Sequence, residues 1–349
     1  MDTNFRVTLS SDFCDETGRL IFPDIGLSLL DNVPHLSYRF LTGSYAEYSP
    51  EQLRDCDVLI SLKPKITAAS LAGIQRLCAI GRCGVGYDNV DLASATEHDV
   101  AVFITPGGVV RPVGEAIVLY ILALSHNLMS KDRMVRRGQW VESTRRLGRE
   151  PRDRIVGSIG LGNIASEVVR LLAPFGLAGF LAFDPYVDDA RGRALGVRMV
   201  SLEELLRTAD YLLVNCPLTN ETRGLIGERE FGLMKADAVL INTARGGVVR
   251  QDALIRALRE GRIRGAALDV FEQEPLPSDS PLIEMDNVIL SSHSIAWSEE
   301  LFRDMGRIDC EGALAVRRGE VPASVVNRDV LERPGFQAKL ARYKAALAS

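Results

Sequence analysis

The segment Ile155-Val156-Gly157-Ser158-Ile159 is a short apolar run that breaks straight into Gly160-Leu161-Gly162-Asn163-Ile164-Ala165 and then into a helical pattern. A strand, a tight turn and a helix this close together leave the chain few options. The turn belongs at the carboxyl end of a buried parallel strand, with the helix returning along the sheet. Gly160 permits the tight turn, Gly162 removes a side chain where backbone must approach a pyrophosphate, and the small Ala165 lets helix and strand pack closely. The helix start, at Asn163 and Ile164, offers free N–H groups and a positive dipole end to phosphate oxygens. Asp184 follows Gly162 by 22 residues, at the end of the next apolar run. A carboxylate there accepts hydrogen bonds from both ribose hydroxyls and repels a 2′-phosphate. The expected cofactor is therefore NAD rather than NADP.

The same alternation of apolar runs and helical patterns extends over most of the sequence. Ahead of the loop the candidate strands are residues 6–10, 38–41, 57–61, 78–82 and 100–104. From the loop onward they are 155–159, 179–184, 211–215, 238–242, 266–270 and 288–291, six strands for a dinucleotide-binding sheet. The pattern predicts an α/β protein with two doubly wound parallel-sheet domains, and 349 residues suffice for two cores. A breaker cluster, Thr105-Pro106-Gly107-Gly108, separates the two series. Residues 112–128 form a helix apolar around most of its circumference, which buries it in a core or a subunit contact. Residues 145–154 are dense in arginine and read either as a solvated loop or as an anion-binding patch. Helical pattern returns at 299–317, and the tail from Pro334 is weakly helical, with no role assigned.

Composition narrows the function. A net charge of −5 argues against nucleic acid or an anionic membrane as the main partner. The longest apolar run, residues 116–124, is short of the ~20 residues of a membrane span. Residues 1–6 carry no basic stretch leading into an apolar one, so no secretory signal is expected. Six scattered cysteines without a C-x-x-C pair, and four histidines without ligand spacing, lead us to expect no metal and a reducing, cytoplasmic location.

Three further segments carry chemistry. Arg245 stands before Gly246-Gly247 at the end of a predicted strand, Glu274 follows Asp269 in Asp269-Val270-Phe271-Glu272-Gln273-Glu274-Pro275, and His293 ends the last strand. Singly, each has an ordinary structural explanation. Together they gather at the carboxyl ends of one sheet, where α/β proteins bind ligands.

With these residues the sequence resembles the D-isomer-specific 2-hydroxyacid dehydrogenases over residues 57–327. The resemblance includes Gly84-Val85-Gly86-Tyr87-Asp88-Asn89, the phosphate loop, Asn215-Cys216-Pro217, and the Arg245, Glu274 and His293 segments. It implies a substrate domain of residues 1–106 and 298–349, with an NAD-binding domain of residues 107–297 inserted and the active site in the cleft. It further implies that Arg245 holds the substrate carboxylate and carbonyl, that His293 is the acid/base, and that Glu274 pairs with it. Cys216, Pro217, Thr243, Ala244, Asp269 and Ala296 would line the cofactor beside Arg245 and His293. Lys63, Gly84, Val85, Gly86 and Trp297 would meet the substrate. The Gly84–Gly86 loop would offer backbone N–H groups, and Lys63 would be either solvated or set against a second anionic group.

The stretch after His293 is most similar to the branch of the C-terminal-binding-protein corepressors. Hence an NAD(H)-sensing binding protein stands beside the enzyme reading, as does a phosphite-type dehydrogenase. Formate enzymes of this fold carry glutamine where Glu274 stands. The family also implies a homodimer, with residues 116–124 in or beside the contact.

Overall fold

The computed structural model describes residues 4–348. Residues 1–3, part of the segment read for a secretory signal, and residue 349 of the tail lie outside the described residues. The chain divides into two units. One runs up to Val109 and resumes at Trp297, and the other is Val110–Ala296.

The first unit is built on five parallel strands: β1 (Phe5–Leu9), β2 (Leu36–Phe40), β3 (Val58–Ser61), β4 (Ala79–Arg82) and β5 (Ala101–Ile104). Their order is β2-β1-β3-β4-β5, the flavodoxin-like arrangement, with Val7 opposite Tyr38 and Val58. Val58, Leu59 and Ile60 are buried on successive positions, as expected of a strand covered on both faces.

The second unit has seven parallel strands: β6 (Ile155–Ile159), β7 (Gly179–Phe183), β8 (Val197–Met199), β9 (Tyr211–Val214), β10 (Val239–Asn242), β11 (Gly265–Leu268) and β12 (Val288–Leu290). The order is β12-β11-β10-β9-β6-β7-β8, so the chain reverses direction across the sheet between β6 and β9. The sequence reading gave six strands. It missed β8, which has only three residues, lies at the sheet edge and exposes Arg198.

The breaker cluster is a second difference. The helix starts at Pro106 and runs to Ser125, rather than over 112–128. Proline in the first turn has its φ preset and its missing N–H costs nothing there. Gly108 is needed for contact rather than for a turn, since a Cβ on it would lie 2.6 Å from the Met305 nitrogen. This helix is long and apolar enough to cross a membrane by length and composition, contrary to the expectation from the sequence. A core helix passes the same test, and Ile117, Tyr120, Ile121 and Leu124 pack with Val156, Leu213 and Ile241 against the sheet of their own unit. Its apolar circumference is therefore largely accounted for inside the unit, leaving Leu119 exposed.

The tail is also structured. The helix Pro334–Ala348 buries Phe336, Leu340 and Tyr343, a stripe with helical spacing. The Tyr343 hydroxyl donates to Asp57 at 2.6 Å, and Lys339 Nζ donates to the carbonyls of Leu77, His98 and Asp99.

Candidate active site

Both ends of the phosphate loop are fixed by backbone geometry. Gly160 has φ +93°, and a Cβ there would lie 2.8 Å from the Asn215 carbonyl oxygen. Gly162 precedes the helix Asn163–Leu172 with no side chain capping that helix. A Cβ on Gly162 would meet nothing within 4 Å. The glycine thus opens a space in front of uncapped helical N–H groups, where a pyrophosphate fits. Ala165 is buried with Leu161, Ala182 and Val197, which seats the helix on the sheet.

Asp184 follows β7. Its Oδ2 accepts from the Leu161 N–H at 2.8 Å and its Oδ1 from the Tyr186 N–H at 2.9 Å. Each oxygen keeps a lone pair for a ribose hydroxyl, while the Leu161 contact fixes the carboxylate against the phosphate loop. These residues suit an adenosine dinucleotide. Cys216 and Pro217 follow β9, and burial pushes the Cys216 thiol up to about 11, so it is a neutral wall rather than a nucleophile.

Beyond β10 the chain is clamped by Asn242. Its buried side chain accepts from the Ala244 N–H and donates to the Arg245 carbonyl, both at 3.0 Å. The clamp shapes the half-buried turn Thr243-Ala244-Arg245. Gly246 then passes so close to Phe271 that a Cβ would lie 1.9 Å from its carbonyl carbon. That contact locks the arginine turn to the segment carrying Asp269 and Glu274.

Asp269 is 5 % exposed. Its Oδ1 accepts from the Ser291 hydroxyl and from the N–H groups of Ser294 (2.9 Å) and Ile295 (3.2 Å). Its carbonyl accepts from the His293 N–H at 2.8 Å, and the Tyr120 hydroxyl bonds to Ser291. Asp269, expected to line the cofactor, thus also holds the shape of the loop from Ser291 to Ala296. His293 sits on that loop with φ +57°.

His293 Nδ1 lies 2.8 Å from Glu274 Oε2, and Glu274 Oε1 accepts from the Phe271 N–H at 3.0 Å. Burial pushes the Glu274 carboxyl up. The hydrogen bonds from His293 and Phe271, with the charges of His293 and Arg245, outweigh it and hold the carboxyl below its ordinary value. With Nδ1 engaged, His293 Nε2 carries no hydrogen bond among the described residues. It is the nitrogen left to exchange a proton with a ligand.

Phosphate loop, Asp184, Arg245, Glu274 and His293 therefore belong to one sheet and one unit. The remaining expected substrate contacts belong to the other. Gly84 (φ +133°) does not offer its N–H, which donates to the Thr105 hydroxyl at 2.8 Å. That corrects the expectation that the whole loop presents donors. The N–H groups of Val85 and Gly86 carry no hydrogen bond among the described residues. Lys63 Nζ lies 5.2 Å from the ring centroid of Trp297, which packs edge-on against Phe22 and Phe302. Sequence reasoning missed Asn242, Ser291 and Tyr120. Their roles depend on which loops meet, and only the polar Asn242 ending an apolar strand gave a signal.

Residues 118–294 match the family described as D-isomer specific 2-hydroxyacid dehydrogenase, NAD binding domain. The chain is 38% identical over 293 residues to a glyoxylate reductase of Korarchaeum cryptofilum, covering 82% of this chain and 88% of that one. It is 38% identical over 288 residues to a D-3-phosphoglycerate dehydrogenase of Methanocaldococcus jannaschii, covering 82% of this chain and about half (54%) of that longer relative. Among solved structures, D-lactate dehydrogenase from Aquifex aeolicus, complexed with NAD and lactic acid, superposes with a TM-score of 0.77 at 27% identity, covering 90% of this chain and 96% of that one.

Proposed function

The chain belongs to the D-isomer-specific 2-hydroxyacid dehydrogenases, and on that footing we propose that it interconverts a small 2-keto acid and its D-2-hydroxy acid, with Arg245, Glu274 and His293 as the catalytic residues. The observation that carries this reading is the 2.8 Å pair of His293 and Glu274, on the same sheet as the phosphate loop. Bound NAD supplies the hydride donor or acceptor. His293 Nε2 donates a proton to the carbonyl oxygen as negative charge develops there, and takes one from the hydroxyl in the reverse direction. Glu274 fixes the ring through Nδ1 and stands as its counter-ion when the ring holds the proton. The Arg245 fork holds the substrate carboxylate and polarises the carbonyl, which a lysine point charge does less well.

The test is NADH consumption with glyoxylate, pyruvate, hydroxypyruvate, 2-ketoglutarate, phosphohydroxypyruvate and branched 2-keto acids. Glyoxylate heads the panel because a 38% identical relative is a glyoxylate reductase. Turnover with at least one acid, lost by about a thousandfold in His293→Ala, is the expected result. No turnover with any acid would leave an NAD(H)-binding protein without this chemistry. Asp184 is proposed to set the preference for NAD. In Asp184→Ser the ratio of NADH to NADPH efficiency should fall by about tenfold or more, as the charge against a 2′-phosphate is lost. An unchanged ratio would assign the preference elsewhere.

We also propose a cytoplasmic homodimer. Support for the compartment is six unpaired cysteines, and for the dimer the exposed apolar side chains Leu119, Leu128, Met129, Trp140, Val141 and Leu147. Sedimentation at micromolar concentration should give twice the chain mass, and a monomer would remove the dimer.

A further inference from the structure

A second charged cluster lies at the other end of the seven-stranded sheet. All its strands are parallel, so their amino ends share one edge, opposite the carboxyl ends that bear the phosphate loop and His293. Arg154 immediately precedes β6, Asp210 precedes β9, Asp237 lies two residues before β10, and Arg264 precedes β11. With Arg149 and Tyr211 these residues line a shallow recess open to solvent. Strand β6 alone, at ~3.3 Å per residue, puts the recess roughly 16 Å from the phosphate loop.

The two carboxylates in this cluster are already used. Asp210 accepts from the Ile155 N–H at 2.8 Å and from Lys235 Nζ at 3.0 Å, and Asp237 pairs with Arg149. The guanidiniums are less well served. Arg264 reaches only the Asn127 side-chain oxygen, at 3.1 Å, and Arg154 makes no side-chain hydrogen bond or ion pair among the described residues. Burial, together with the like charges of Arg149 and Arg154, lowers the pKa of Arg264 from its ordinary value, although Tyr211 and Asp237 oppose this. Three guanidiniums thus face two carboxylates at this edge, one of them shared with Lys235, so positive charge is in excess. The Arg154 fork, the remaining N–H groups of Arg264 and those of Arg149 not given to Asp237 surround one recess and match an oxyanion with several oxygens.

We infer that the recess lined by Arg149, Arg154 and Arg264 is a binding site for a phosphoryl dianion, distinct from the cofactor and substrate sites. The anion ties the segment before β6 to the segment before β11, so its occupancy stabilises the unit. Inorganic phosphate and a phosphate monoester share this chemistry.

The experiment is calorimetric titration of the NADH-saturated enzyme, whose phosphate loop is filled, with inorganic phosphate and separately with glycerol 2-phosphate. Ionic strength is matched with sodium chloride. Saturable binding at millimolar concentration or tighter is expected, with a rise in Tm on the order of 2–4 °C. Tighter binding of the ester would identify a phosphorylated metabolite as the source, and equal or tighter binding of phosphate the free ion. Arg264→Met and Arg154→Met should each weaken binding about tenfold or more. Arg264→Lys, the milder change, should weaken it less. Arg245→Met should leave binding intact, because it alters the proposed substrate site instead. No saturable binding in the unaltered protein would overturn the inference, as would binding that survives Arg264→Met and Arg154→Met but is lost in Arg245→Met.

Discussion

Two buried aspartates, one in each unit, are treated in opposite ways. Asp269 is 5 % exposed and its Oδ1 alone accepts from a hydroxyl and two backbone N–H groups. Asp309, in the helix Glu299–Arg317, is 0 % exposed, and neither of its carboxyl oxygens meets a hydrogen-bond partner in good geometry among the described residues. Burial pushes the Asp309 carboxyl up to about 8, against the opposing pull of the Cys83 thiol and the Arg82 charge. At neutral pH it is thus a neutral acid packed beside Gly81 and Phe103. A satisfied carboxylate can shape a loop, because its hydrogen bonds repay its desolvation. An unsatisfied one avoids that cost only by keeping its proton. Burial alone therefore says little about what an aspartate does, and the donors around it say much more.

The sharpest way to break the comparison is to remove the satisfied member. Asp269→Ala leaves the Ser294 and Ile295 N–H groups without their acceptor and frees the loop that carries His293. We predict a fall in kcat/KM on the order of 100-fold, since small misplacements of a catalytic group cost this much. The NADH Kd should change far less. Steady-state kinetics with a fluorescence titration of NADH checks both, and an unchanged kcat/KM would mean that the loop holds its shape without Asp269.

The smaller effect comes from the unsatisfied member. The folded chain keeps the Asp309 proton up to about pH 8, whereas an unfolded chain releases it near pH ~4. The folded state binds more protons between those values, so stability falls as pH rises through that window. Asp309→Asn removes the titration. Its Tm relative to the unaltered protein should therefore rise by several degrees from pH 5 to pH 8. A constant difference across that range would show that Asp309 is not protonated in the folded state.

Asp269 and Asp309 also mark what the sequence made legible. The phosphate loop, Asp184, Arg245, Glu274 and His293 were readable because each sits in a short motif whose chemistry needs that residue type at that spacing. Asp269 was readable as a site residue, but not as the support of the His293 loop, because Ser291, Ser294 and Ile295 meet it only through the fold. Asp309 was invisible, since a charged residue in an amphipathic helix reads as surface until packing places it inside. The start of the long helix and the packing of the tail have the same origin. The Pro106–Gly108 breakers start a helix because Met305 packs against Gly108, and the tail is a stable helix because Phe336, Leu340 and Tyr343 find a core. The proline-led first turn and the helical stripe of the tail are local patterns, but what each packs against is set by tertiary contact.

The central claim is that Glu274 keeps His293 ready to give up a proton. Glu274→Gln retains a hydrogen-bonding group at Nδ1 but removes the counter-ion of the charged ring. The direct measurement is kcat/KM against pH, for keto-acid reduction and hydroxy-acid oxidation, in both proteins. Reduction needs the protonated ring, so its alkaline limb should move to lower pH in the variant. Oxidation needs the neutral ring and should lose less near neutrality. An alkaline limb for reduction that stays in place or moves upward would contradict the pairing of Glu274 with His293 as the source of the catalytic proton.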